Sequence, residues 1–158
     1  MTEFQFESQS EEDTIRLGQA LAAALPAGAI VALNGTLGAG KTRLVQAVAE
    51  ALGIDRHEVV SPTFVLLQEH HGEKSIFHVD AYRIRDDDEF MQLGMDEYFA
   101  AGGLVFIEWA ERVASSLPPG YFMVAIDVSS ETSRTMTISS SDQGGDETIS
   151  QLRLLLNS

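Results

Sequence analysis

One stretch of the chain has the composition of an anion cradle. Gly35-Thr36-Leu37-Gly38-Ala39-Gly40-Lys41-Thr42 fits G-x-x-x-x-G-K-[ST] at every fixed position. Glycines let the backbone aim successive N–H groups at one point. A helix opening directly after the loop brings its free N–H groups and positive dipole end to the same place. A lysine there puts a formal charge on β- and γ-phosphates, and a threonine hydroxyl can serve Mg²⁺. Gly38, Ala39, Gly40, Lys41 and Thr42 are therefore expected to hold a nucleoside polyphosphate. A glycine-rich turn could match this pattern by chance. Against that, the motif follows the apolar run Ala29–Leu33 and precedes a helical pattern from Thr42 to Leu52, the strand–loop–helix order that the chemistry requires.

Such a loop also needs an acid at the end of a neighbouring buried strand to hold Mg²⁺, directly or through water. Three acids have that setting: Asp80 after Ile76–Val79, Glu108 after Leu104–Ile107 and Asp127 after Val124–Ile126. Uniformity of the preceding strand favours Glu108, then Asp80, and Asp127 is expected simply to end a strand. For each, the plain alternative is a solvated acid at a strand end. His78 is expected to be a hydrogen-bonded packing residue, with a switch beside the metal site as the alternative. His70 and His71 read as solvated residues of a hairpin turn, and no second pair at ligand spacing points to zinc. Trp109, next to Glu108, either packs to position the acid or touches nucleotide or a partner.

The elements that must carry these residues follow from pattern. Phe4 and Phe6 alternate with polar neighbours, as in a short edge strand. Ser10 can cap a helix whose first turn holds Glu11, Glu12 and Asp13, and whose apolar stripe ends before Pro26. Gly53 stops the helix after the loop. Segments 64–69 and 75–79 read as a hairpin, and 86–99 as two short helical turns broken at Gly94. Strands are expected at 104–107, 121–128 and 135–138. A polar loop at 139–146 leads into a closing helix at 146–156 with Ile149, Leu152, Leu155 and Leu156 inward. This alternation predicts one α/β domain over residues 1–158, with antiparallel hairpin strands added to a parallel sheet. Against 24 acidic residues stand 10 Lys and Arg, leaving a net charge of -14. A chain this acidic does not grip nucleic acid or an anionic membrane through bulk charge. Cysteine is absent, which excludes disulfides and thiol chemistry and suits the cytoplasm. Residues 1–12 carry acids and no basic n-region, so neither a signal peptide nor a membrane span is expected from the residues given.

Five blocks in order carry a family likeness: Gly35 to Thr42, Ser61-Pro62-Thr63-Phe64, His78-Val79-Asp80-Ala81-Tyr82-Arg83, Gly94-Met95-Asp96-Glu97-Tyr98-Phe99 and Ile107-Glu108-Trp109-Ala110-Glu111. Over nearly its whole length the chain resembles the bacterial tRNA threonylcarbamoyladenosine biosynthesis ATPase family TsaE, also called YjeE. The resemblance implies a P-loop α/β sandwich with a mixed, mainly parallel sheet. It implies ATP or ADP with Mg²⁺ as ligands, Thr42 and Glu108 on the metal, and Asp80 and Glu108 in the hydrolysis site. Lys41 would offset charge, and Thr63 would sense the γ-phosphate from a switch-like loop. Arg134 and Ser8 would lie near the nucleotide. It also implies slow ATP hydrolysis and action with TsaD–TsaB partners on adenosine 37 of tRNA, the tRNA being met only indirectly. The chain departs from the family pattern at Thr36 and Arg43, where an acid and a threonine are common. Arg43 could touch phosphate or sit solvated on its helix. Two other classes compete. A small-molecule kinase would need an arginine-rich lid, whereas the eight arginines here are scattered. A non-enzymatic assembly module would use nucleotide only to order a surface for a partner. No N-K-x-D guanine motif occurs, which fits ATP better than GTP.

Overall fold

A computed structural model describes residues 3–36, 38–60 and 67–157. Its strands are β1 (Glu3–Ser8), β2 (Ile30–Gly35), β3 (Leu67–His70), β4 (Ile76–Asp80), β5 (Leu104–Glu108), β6 (Phe122–Val128) and β7 (Arg134–Ser140). Its helices are α1 (Glu11–Ala24), α2 (Lys41–Ala51), α3 (Asp87–Met91), α4 (Met95–Ala100) and α5 (Asp146–Leu156). Among the described residues the strands form one sheet in the order β1-β7-β6-β2-β5-β4-β3. The mixed, mainly parallel sheet expected from sequence is found. The contiguous strands β6, β2, β5 and β4 run parallel, and only β7 and β3 oppose the common direction.

The period-two alternation of side chains divides the sheet between two cores. Val31 and Leu33 of β2, with Leu104 and Phe106 of β5, pack beneath α1, α2 and α5. Ile30, Ala32, Val105 and Ile107 face the opposite side, against Phe90 of α3 and Met95 of α4. Both faces are covered, which is why β2 and β5 read as continuous apolar runs. Ser10 caps α1 by accepting from the Asp13 backbone N–H at 3.2 Å. At the other end of α1, Lys74 Nζ donates to the carbonyls of Ala22 and Leu25 at 3.2 and 3.1 Å, tying the β3–β4 hairpin to that terminus.

Three local expectations change. His70 is a strand residue paired with Ile76, not a turn residue; it is buried, and its Nε2 lies 3.3 Å from Gln68 Oε1. The polar segment at 139–146 is partly strand, because Ser139 and Ser140 pair with Glu3 and Phe122. On α5, Ile149, Leu152 and Leu156 are buried at i, i+3 and i+7, whereas Leu155 falls off that stripe and is 44% exposed. Of the segment expected to form a strand at 64–69, residues 64–66 lie outside the described residues. Among the described residues no helix is long and apolar enough to cross a membrane.

α1 packs closely on α2 at Gly18. A Cβ there would lie 2.4 Å from Ala47 Cβ and 2.7 Å from the Ala47 carbonyl carbon. Alanine gains about 1 kcal/mol of helix propensity over glycine, but backbone at that distance cannot swing aside. Gly18→Ala is therefore expected to destabilise the fold by about 1–3 kcal/mol. In thermal melts this reads as a Tm drop of roughly 2–4 °C per kcal/mol for a chain of this size. An unchanged Tm would mean that α1 and α2 part without cost.

Candidate active site

The loop after β2 turns into α2 through two glycines in the left-handed region, Gly38 at φ 80° and Gly40 at φ 111°. Other residues would be strained there. A Cβ on either would meet nothing within 4 Å, so backbone conformation and not crowding requires glycine. Gly40 is the N-cap of α2, so no side chain caps that terminus. Its N–H groups and dipole suit an anion.

Lys41 opens the helix and is 5% exposed. Its Nζ donates to the Gly35 and Thr36 carbonyls at 2.6 and 3.1 Å and lies 4.2 Å from the centroid of the Trp109 ring. Burial pushes the ammonium below its ordinary pKa, against the opposing charges of Glu108, Glu111 and Asp80. Trp109 is the only non-glycine among the described residues with positive φ, at 60°. Its ring packs on Tyr82 with centroids 5.0 Å apart. Backbone held this way is stored strain of the kind found at functional sites.

Asp80 and Glu108 are register partners at the ends of β4 and β5, and they are 3% and 5% exposed. Parity with Ile76 and with Leu104 and Phe106 puts both on the α2 face. There Glu108 Oε2 accepts from Thr42 Oγ1 at 2.9 Å and from His78 Nε2 at 2.5 Å. Burial raises the Glu108 carboxyl, yet the bond and charge of His78, the Thr42 hydroxyl and Lys41 together hold it below the usual carboxylate range. Asp80 Oδ1 accepts from the Tyr82 backbone N–H at 2.9 Å. Asp127 lies within β6 and is exposed; it borders the loop at Gly35, Thr36 and Trp109 but makes no bond to Thr42 or Glu108.

The donors fit a hard cation. Thr42 gives its one hydrogen to Glu108 and keeps its oxygen lone pairs. Among the described residues no group of three or more His, Cys, Asp or Glu is arranged to hold a metal. A cation here would draw on one hydroxyl, one or two carboxylates and the phosphates of its own ligand, which is how Mg²⁺ is commonly bound.

A cavity of about 500 Å³ opens beside the loop, lined by Ser8, Thr14, Ala39, Gly40, Arg43 and Arg134 among others. Ser8 is buried at the end of β1, its Oγ 2.7 Å from Thr14 Oγ1. Arg134, its register partner on β7, donates from Nε to the Ala39 carbonyl at 3.0 Å, so one side chain braces the loop and borders the cavity. Arg43 is neither plainly solvated nor committed. Its Nε meets Glu11 Oε1 at 3.3 Å, and its Nη1 and Nη2 are shielded without a hydrogen-bond partner.

Lys41, Thr42, Asp80 and Glu108 are thus brought together where the loop carrying Gly38 and Gly40 enters α2, and Ser8, Ala39, Gly40, Arg43 and Arg134 line the adjoining cavity. Thr63 lies outside the described residues. Glu11, Thr14, Glu131 and Thr132 line that same cavity without having been expected there. The first turn of α1 and the β6–β7 connection deliver them, and their one sequence signal is nearness to Ser8 and Arg134.

A mainly parallel sheet whose central strand feeds a glycine loop and a helix N-terminus defines the P-loop class of α/β proteins. Within that class, residues 8–136 match the family model described as threonylcarbamoyl adenosine biosynthesis protein TsaE. The chain belongs to this family, whose part is in tRNA threonylcarbamoyladenosine biosynthesis. It is 39% identical over 131 residues to the tRNA threonylcarbamoyladenosine biosynthesis protein TsaE of Treponema pallidum (strain Nichols), covering 83% of this chain and 96% of that one. The Bacillus subtilis (strain 168) protein of the same name is 35% identical over 138 residues, covering 87% and 85%. The crystal structure of YdiB from Bacillus subtilis superposes with a TM-score of 0.81 at 26% identity, covering 97% of this chain and 95% of that one.

Proposed function

We propose that the chain binds Mg-ATP at the loop and hydrolyses it slowly. In doing so it supports the threonylcarbamoyl modification of adenosine 37 of tRNA through partners of the TsaD–TsaB type, in the cytoplasm. The observation that carries this reading is the meeting of Lys41, Thr42, Asp80 and Glu108 at the open N-terminus of α2. The loop amides and the α2 terminus bind the phosphates. Lys41 exchanges its loop carbonyls for phosphate oxygens and offsets the charge that develops on them. Asp80, beside Glu108 in the register, orients an attacking water or accepts its proton. Thr63 senses the γ-phosphate. Thr42 and Glu108 would hold Mg²⁺, which would supply positive charge against the phosphates. Ser8, Arg43 and Arg134 would border the nucleoside and the α-phosphate. With a net charge of -14, contact with tRNA runs through partners and not through a phosphate grip of its own.

Trp109 is the single tryptophan and its ring faces Lys41, so its emission follows that ammonium. Titrating ATP or ADP with Mg²⁺ is expected to shift Trp109 emission saturably, with slow phosphate release from ATP that the partners alter. No emission change and no nucleotide uptake by calorimetry on folded protein would end this reading. Saturable binding with no phosphate release, alone or with the partners, would favour the assembly module.

A further inference from the structure

We infer that His78 is a positioning residue that fixes the Glu108 carboxylate, and through it the Thr42 hydroxyl, for a divalent cation; this rests on the nucleotide reading above. His78 stands in the middle of β4 between Phe77 and Val79, and its side chain is 0% exposed. Packing alone would be served better by an apolar residue, because its Nδ1 is buried without a hydrogen-bond partner, a cost that an imidazole incurs and a leucine does not. What offsets that cost is the Nε2 bond of 2.5 Å to Glu108 Oε2. A carboxylate only accepts, so Nε2 carries the hydrogen. The same Oε2 accepts the Thr42 hydrogen at 2.9 Å. Two donors converging on one oxygen fix the rotation of the carboxyl group. They leave Oε1 outside both bonds and turn the Thr42 lone pairs away from Glu108.

Outer partners that hold a metal-ligating carboxylate typically matter 10–100-fold for metal affinity or activity. Position 78 is thus the first link in a chain of three side chains: imidazole, carboxylate, hydroxyl.

The test is calorimetric titration of ADP across a series of Mg²⁺ concentrations with wild type, His78→Met, His78→Gln, His78→Asn and Glu108→Gln. His78→Met removes the donor at similar bulk. It is expected to raise the Mg²⁺ concentration for half-maximal effect about 10–100-fold, leaving ADP affinity without Mg²⁺ within about twofold. His78→Gln places an N–H near the Nε2 position and should restore most of the Mg²⁺ response. If the methionine variant does not fold, the glutamine–asparagine pair makes the same comparison, since asparagine is too short to reach Oε2. An unchanged Mg²⁺ response in both the methionine and asparagine variants overturns the inference. So does a loss falling equally on ADP binding without Mg²⁺, which marks a purely structural role. If Glu108→Gln itself keeps the wild-type Mg²⁺ response, the assignment of Glu108 to the metal is what fails, and the role of His78 fails with it.

Discussion

Lys41→Ala is expected to abolish measurable phosphate release from Mg-ATP while the protein stays folded. In the structure the ammonium is bonded to two loop carbonyls and lies among the charges of Glu108, Glu111 and Asp80. Hydrogen bonds to charged groups are worth about 1.5–3 kcal/mol, so nucleotide affinity should fall roughly 10–100-fold, with Mg²⁺ and without it. Turnover should fall further, by about 10²–10³ at saturating ATP, because charge on the transferred phosphoryl oxygens grows toward the transition state. The fold should tolerate the change. Thr36 is exposed and Gly35 half-buried, so water can reach the carbonyls that the lysine leaves. The measurement is phosphate release beside a thermal melt. Wild-type turnover in a folded Lys41→Ala protein would show that the loop is not where phosphate is held.

Much of this arrangement was legible in the chain itself, for reasons that differ by element. The loop could be read because its chemistry constrains backbone as well as side chain: Gly38 and Gly40 adopt φ values that glycine alone takes readily. The strand-end acids were readable as a set of three but not individually. Choosing among them needs the pairing of β4 with β5, which makes Asp80 and Glu108 neighbours and leaves Asp127 on a strand across β2. Sheet order is a long-range property that no local pattern encodes. His70 shows the same limit on a smaller scale. Next to His71-Gly72 it reads as turn, and only the register with Ile76 carries it inward. Burial also depresses its imidazole below the ordinary histidine pKa, helped by nearby His78. Of the residues lining the cavity, Ser8 and Arg134 were indicated by family likeness and not by pattern, and Arg43 departs from the family pattern. Residues more than a hundred positions apart meet there because β1 pairs with β7.

Glu108→Gln should separate metal chemistry from nucleotide binding, because it weakens binding only where Mg²⁺ is present. The carboxylate is buried, held ionised by His78, Thr42 and Lys41, and placed where a polyphosphate would approach. Without Mg²⁺, like charges at a few ångströms repel, and in a poorly solvated site that repulsion exceeds its value in water. Removing it should leave ADP affinity in chelator unchanged or raise it. With Mg²⁺ the same carboxylate is an asset, so the neutral amide should forfeit most of the gain that the cation confers. Turnover should drop by about 10²-fold or more, the scale associated with losing one preorganised electrostatic partner. Stability should change little. The amide keeps the size of the side chain, and its oxygen can still accept from Thr42 and His78 while the desolvation cost of a buried charge is removed. A general loosening of the site would weaken binding under both conditions, which this prediction forbids. Hydrolysis of Mg-ATP by Glu108→Gln at the wild-type rate would remove Glu108 from the metal site and leave Asp80, its register partner, as the remaining acid on that face of the sheet.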